Sequence, residues 1–138
     1  MKTFNITAQF TNNLKRLPVK VSLLMDDQLI WSKLILDTDG FDLNLNDTMR
    51  RFSVMRVRFE GKTGANDPDT HLSCDYFRID GRDLGYILEN TATFYHSYNS
   101  TDPWDQTMQY ADVVGIDGEL TFDFETPVAF WISKRDKW

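Results

Sequence analysis

Apolar and polar residues alternate at a period of two along most of this chain, and no other feature of the sequence restricts the fold as much. Successive side chains of a β-strand point to opposite faces, so an alternating stretch has one buried face and one wet face. A helix would need its apolar residues three and four apart. Phe4, Ile6, Ala8 and Phe10 alternate with polar residues until Asn12-Asn13 interrupts them. Val19, Val21 and Leu23 lead into Asp26-Asp27-Gln28, and Leu29 to Leu36 returns, which is the pattern of a hairpin with an Asp-rich turn. Asp37-Thr38-Asp39-Gly40 reads as a second turn, followed by alternating Phe41, Leu43 and Leu45. Ser53, Met55, Val57 and Phe59 make a further strand, and Leu72 to Ile79 makes the next, closed by Asp80-Gly81. Leu120, Phe122 and Phe124 alternate most clearly of all, and Val128 to Ile132 reads as a short final buried strand. Only Asp83 to Asn90 carries a helical pattern.

About eight short strands joined by polar turns predict an all-β chain: a single-domain antiparallel β-sandwich of jelly-roll type. The sandwich is expected over residues 1–132, with residues 133–138 as a polar C-terminal tail. Its expected core includes Phe4, Ile6, Val21, Leu23, Trp31, Leu43, Val57, Phe59, Leu72, Cys74, Phe122 and Phe124. A chain of 138 residues can bury roughly 70% of its unfolded surface without disulfides or a structural metal. The single cysteine, Cys74, excludes an intrachain disulfide and a multi-cysteine zinc site. It reads as a small buried hydrophobe.

The formal net charge of −6 disfavours general attraction to nucleic acid phosphates or anionic lipid. No apolar run approaches the roughly 20 residues of a membrane-spanning helix, and Met1 to Thr7 carries no secretion signal. The partners expected are therefore neutral, cationic or bridged by a cation. There is no G-x-S-x-G elbow, phosphate-binding Gly-rich loop or dinucleotide fingerprint. His71 and His96 have no zinc-hydrolase context and read as surface or edge-strand residues. Period two places Glu119, Thr121, Asp123 and Glu125 on one face of their strand, as paired carboxylates lie in β-sandwich glycosidases. The same pattern fits the solvated face of a half-buried strand.

Two loops stand out. Gly61 to Thr70 joins two strands and is longer than the usual hairpin connection; its Asn66, Asp67 and Asp69 are oxygen donors suited to Ca²⁺. Asn99 to Asp105 combines Asp102 and Asp105 with Trp104, and Tyr95 and Tyr98 stand just before it. A cation beside an aromatic platform is what recognition of a neutral sugar requires. The ring takes the apolar face of the sugar, while hydroxyls complete the metal shell. The plainer alternative is that Asp and Asn serve here as turn formers.

Val57-Arg58-Phe59, the Asn/Asp-rich loop and Leu72-Ser73-Cys74-Asp75-Tyr76-Phe77-Arg78-Ile79-Asp80-Gly81 together resemble the core of the calcium-dependent, xylan-binding type of carbohydrate-binding module. Val19 to Leu36 is similar to the opening of that family, and Val113 to Gly118 occupies a comparable later place. The family's cysteine-containing segment has no counterpart here. The resemblance implies a jelly-roll in which loop carboxylates hold Ca²⁺ and the ion ligates sugar hydroxyls. The metal ligands would be Asp67 and Asp69, with Asp102 and Asp105 from the neighbouring loop. Trp104, Tyr95 and Tyr98 would contact the glycan. Asp75 matches the family's D-Y aspartate and reads as structural, partnered by Arg56 or Arg58.

The leading expectation is a non-catalytic glycan-binding or adhesion module. Such modules are usually appended to exported enzymes. A chain opening at its own Met1 without a signal therefore points to a fragment of a longer chain or to display on a bacteriophage particle, with other virion proteins or further copies as partners. The alternatives are a purely structural virion protein of the same fold, and a glycosidase using the Glu119/Asp123/Glu125 face.

Overall fold

The computed structural model describes residues 3–15, 17–47, 52–61, 71–85, 88, 91–96, 106–109, 113–114, 117–125, 128 and 131. Among them are eleven strands: β1 (Thr3–Asn12), β2 (Val19–Met25), β3 (Gln28–Ile35), β4 (Thr38–Asn46), β5 (Phe52–Glu60), β6 (Leu72–Ile79), β7 (Arg82–Asp83), β8 (Thr93–His96), β9 (Gln106–Gln109), β10 (Val113–Val114) and β11 (Gly118–Glu125). Every pairing is antiparallel. The smaller sheet runs β10-β6-β1-β4, with β7 also on β6, and the larger runs β3-β2-β5-β11-β8-β9. The chain passes repeatedly from one sheet to the other, so neither can form alone, and the two pack as a jelly-roll-type sandwich.

The apolar residues of the alternating stretches face each other across the gap between the sheets. Phe4, Ile6, Ala8 and Phe10 of β1 are buried against Met55, Val57 and Phe59 of β5 and Leu120, Phe122 and Phe124 of β11 within one core. Edge-to-face ring pairs join the sheets: Phe4 with Phe124 at 6.2 Å, Phe10 with Phe59 at 6.0 Å and Phe77 with Phe122 at 6.1 Å between centroids. Such pairs contribute about 0.5–1.5 kcal/mol each beyond burial, and they fix how the sheets sit on one another. Trp31, Leu43 and Cys74, expected in the core, are only partly buried and line its margin. Trp31 lies on β3, which is at the edge of its sheet among the described residues, and it packs on Phe41 at 5.1 Å. The Cys74 thiol reaches Tyr76 O at 3.5 Å.

Seven of the expected strands are present, and the departures have physical reasons. Thr38, Asp39 and Gly40 belong to β4 and not to a turn. A Cβ on Gly40 would collide with Ala8 O and lie 2.9 Å from Gln9 Cα, so the glycine serves the close approach of β4 to β1. Val128 and Trp131, the described residues of the expected final strand, are helical and buried and not extended. The Val128 N–H donates to the buried Asp47 carboxylate at 2.9 Å. Such an N–H has no partner within its own helix, and Asp47 supplies one. Thr126-Pro127 just before it is a helix-start signal that the apolar run outweighed. Gly85, Leu88 and Thr91 are also helical, in and just beyond the stretch with the helical pattern. The short strands β7 to β10 are too brief to leave an alternation.

Asp26 and Asp27 both have positive φ, at 49° and 65°, which is the geometry that lets a two-residue turn match the twist of β2 and β3. Asp26 is held there by reciprocal bonds to β5: its N–H donates to Val54 O and its Oδ1 accepts from Val54 N, each at 2.9 Å. Asp80-Gly81 repeats the device at the same end of the sandwich, with φ of 50° and 78°.

Candidate functional site

The Asp-rich loops predicted to bind ligand, 62–70 and 97–105, lie outside the described residues, and with them Asp67, Asp69, Tyr98, Asp102, Trp104 and Asp105. Their roots are described. The first strand residue of β11, Gly118, pairs with Phe59 of β5 on one side and with His96 of β8 on the other. Residues 62–70 follow directly after β5 and Gly61, and residues 97–105 follow directly after His96 and return at Gln106, its partner in β9. Both loops thus leave the same end of the sandwich from strands one step either side of β11, so their roots are separated by two strand spacings, about 10 Å.

A buried amide and several hydrogen bonds between segments brace this end. The Asn12 amide, with no solvent exposure, donates from Nδ2 to Leu17 O at 2.7 Å and to Ile35 O at 3.3 Å, and its Oδ1 accepts from Lys15 N at 3.2 Å. One side chain thereby ties β1 of the smaller sheet to the end of β3 in the larger. Asn13 and His71 exchange two bonds, Asn13 N to His71 O at 3.1 Å and His71 N to Asn13 Oδ1 at 2.7 Å, which hold the far root of 62–70. At the near root Gly61, with φ of 96°, donates its N–H to Asp117 Oδ2 at 3.2 Å. A Cβ on Gly118 would lie 2.6 Å from both Phe94 Cε2 and Tyr95 O, so only glycine lets Phe94 close over this junction. His96, expected at the surface or on an edge, is instead buried beside Phe94, the rings stacked at 6.0 Å.

The outer face of the larger sheet departs from the expectation of a simple solvated strand. Glu119 is 4% exposed. Its Oε1 accepts from Arg56 Nη1 at 2.9 Å and its Oε2 from Arg58 Nε at 2.9 Å, with Arg58 Nη2 at 2.8 Å. The register explains why: Glu119 stands opposite Arg58 and one pair from Arg56, so both guanidiniums fold over one carboxylate. The hydrogen bond to Glu119 pushes the Arg56 guanidinium further up from its ordinary value, against the opposing effect of burial, and the charges of Glu119, Asp27 and Tyr95 add to the rise. Asp123 is exposed, as a solvated face requires. Glu119 and Asp123 are four residues apart on one strand, about 13 Å, beyond the roughly 5–9.5 Å of glycosidase carboxyl pairs, whereas Asp123 and Glu125, two residues apart at about 7 Å, fall within it.

The arginines taken by Glu119 are those expected to partner Asp75. That aspartate is exposed at an irregularity in the β1–β6 pairing, where its Oδ2 accepts from Thr11 Oγ1 at 2.5 Å and Gln9 Nε2 at 3.0 Å. Tyr95, the one predicted contact residue that is described, is half-buried in β8 directly opposite Glu119, on the outer sheet face one residue before the loop root. Among the described residues no group of three or more His, Cys, Asp or Glu side chains could hold a metal ion.

No protein-family model matches the sequence, and no curated protein does. Solved structures do. The structure of vCBM60 in complex with galactobiose is similar to this chain with a TM-score of 0.55 at 14% identity, covering 86% of this chain and 96% of that one. A selenomethionine form of vCBM60, described under a circular permutation linking two families of calcium-dependent carbohydrate binding modules, matches with the same TM-score and identity over 86% of this chain and 89% of its own. At that identity the likeness is one of fold: the chain is an antiparallel β-sandwich built like a carbohydrate-binding module.

Proposed function

We propose that this chain is a non-catalytic glycan-binding module that takes its ligand at the sandwich end from which residues 62–70 and 97–105 leave. The observation that carries the reading is the double pairing of Gly118, which roots the two Asp-rich loops on either side of one strand. The shared fold supports it, because vCBM60 was solved with galactobiose bound. In this reading Asp67, Asp69, Asp102 and Asp105 would hold Ca²⁺, a hard cation that takes six to eight oxygen ligands and can complete its shell with sugar hydroxyls. Trp104 would stack on the apolar sugar face, with Tyr98 beside it. The ion is the natural partner for carboxylates on a chain of net charge −6. A short site of this kind binds at about millimolar strength, near −4 kcal/mol, so adhesion would depend on many copies acting together, as on a bacteriophage particle.

The test has two arms. With exposed-site affinities of roughly 10⁻⁴ to 10⁻³ M, Ca²⁺ at about 100-fold excess adds on the order of 2.7 kcal/mol, so the melting temperature should rise with Ca²⁺ and return with a chelator. The double variant Asp67→Asn with Asp69→Asn should remove that response. A multivalent form on a glycan array in Ca²⁺ should then bind, and Trp104→Ala should not. Identical melting curves with Ca²⁺ and with chelator would reject the metal, and a silent array would reject glycan binding.

A further inference from the structure

We infer that the ligand is an oligosaccharide longer than the loop end alone accommodates, and that its next unit lies along the outer face of the larger sheet over Tyr95 and Arg58. This rests on the loop-end reading and adds the ligand's length and direction. Immediately inside the roots of the two loops, one outward-facing row crosses all six strands: Ser32, Ser22, Arg58, Glu119, Tyr95 and Thr107. Every member is polar or amphipathic. The next row inward carries Arg56, Thr121, Thr93 and Gln109 and turns apolar at Leu24 and the exposed Leu29 on the β2–β3 side. Tyr95 is the only aromatic residue in these two rows, and it stands one residue from the root of 97–105.

The chemistry of the row suits a polyol. The exposed Ser32 carries a hydroxyl 3.2 Å from that of the buried Ser22, which orients it, and exposed Thr107 flanks Tyr95 on the other side. Among the described residues Arg58 binds Glu119 alone, through Nε and Nη2, which leaves the Nη1 edge of a one-third-exposed guanidinium for a ligand oxygen. Because the buried carboxylate holds both arginines, their orientation is set before anything binds, and little side-chain entropy is lost on contact. A half-buried tyrosine ring between such groups offers an apolar surface with donors and acceptors at its rim. Continuity with the loop end gives the occupant: a chain held at the loops and running down the strands meets this row first.

The experiment titrates galacto-, xylo- and gluco-oligosaccharides of one to six units against the wild-type chain, Tyr95→Ala and Tyr95→Phe in Ca²⁺, with melting curves as a check that each variant is folded. For the series that binds, affinity should rise about five- to tenfold between the shortest ligand bound and the longer members, Tyr95→Ala should abolish that rise, and Tyr95→Phe should keep it. A flat length series in the wild-type chain, or a rise unchanged in folded Tyr95→Ala, overturns this inference and leaves binding at the loop end standing. No binding by any series overturns the loop-end reading itself, and this inference with it.

Discussion

Removing the Glu119 carboxylate should destabilise the sandwich less than removing the two arginines that cover it, although the same contacts are lost. Exposed ion pairs are worth about 0–1 kcal/mol, and breaking a buried one costs about 3–5 kcal/mol. This cluster lies between those limits and is lopsided: the Glu119 side chain is 5% exposed, those of Arg56 and Arg58 33% and 36%. In Glu119→Gln the guanidiniums lose charge-assisted bonds worth about 1.5–3 kcal/mol, but they already reach solvent and can recover part of that from water. A net cost of about 1.5 kcal/mol follows. In the double variant Arg56→Met with Arg58→Met the carboxylate stays in its enclosed position with no cation, and the cost should approach about 3 kcal/mol.

Urea unfolding reads both through the midpoint, with an unchanged m-value showing that the change is in stability and not in the denatured state. At about 2.1 cal/mol/K of unfolding entropy per residue, 138 residues give about 0.3 kcal/mol/K. Glu119→Gln should therefore lower the melting temperature by about 5 °C and the double arginine variant by about 10 °C. Equal costs, or a Glu119→Gln variant as stable as wild type, would mean that the cluster behaves as an ordinary surface pair and that its burial has no energetic consequence.

Three further outcomes are expected. Phe122→Ala removes a ring that is 1% exposed and contacts Phe77, Phe124 and Trp131, and should cost about 3–5 kcal/mol by denaturant titration. Gly40→Ala should be worse tolerated than its size implies, because the new Cβ meets the backbone of Ala8 and Gln9 and must part β4 from β1; a soluble variant with the wild-type midpoint would contradict this. Asp39 is held below its ordinary value of 3.8, first by its hydrogen bond from Lys33 and then by that from Gly40 N. A carboxyl depressed on folding contributes stability that is present above its unfolded value and lost as pH falls through the folded one, so the effect belongs below about pH 4. Asp39→Asn should lower stability slightly at neutral pH, by a small amount because the pair is solvent-screened, and make little difference below the folded value, so that the acid limb flattens.

The long strands were legible because each has one dry and one wet face, a pattern that survives without knowledge of the partner. Legibility failed where a residue's role depends on what lies opposite it. Gly40 resembles a turn glycine until β1 is placed against it. Val128 and Trp131 form an apolar run whose helical state turns on Asp47, far away in sequence. Glu119 alternates with apolar neighbours as any solvated residue would, and only the β5–β11 register brings two arginines over it. Of the predicted site, Tyr95 alone is described, and its position on the sheet face could not have been read from a spacing that grouped it with Tyr98 and Trp104.

The two ends of the sandwich are built on different principles, and the difference bears on function. At one end β2–β3 and β6–β7 are closed by two-residue turns in which Asp26, Asp27, Asp80 and Gly81 take positive φ. Asp26 and Asp80 are each pinned to a neighbouring strand, at Val54 and Asn5. Such turns leave no spare backbone. At the other end 62–70 crosses from β5 of the larger sheet to β6 of the smaller and 97–105 joins the paired β8 and β9, both far longer than a two-residue turn, yet the groups at their roots are among the most constrained of the described residues: Asn12 with every amide function engaged, Gly118 with no room for a Cβ, and His71 and Gly61 each bound by a side chain from another segment. A buried amide is costly unless satisfied, and the Asn12 amide, together with the exposed bonds at His71 and Gly61, fixes where those loops leave the sheets. The proposed ligand site needs such fixed roots, because loops that specify a ligand must leave the sheets from defined points.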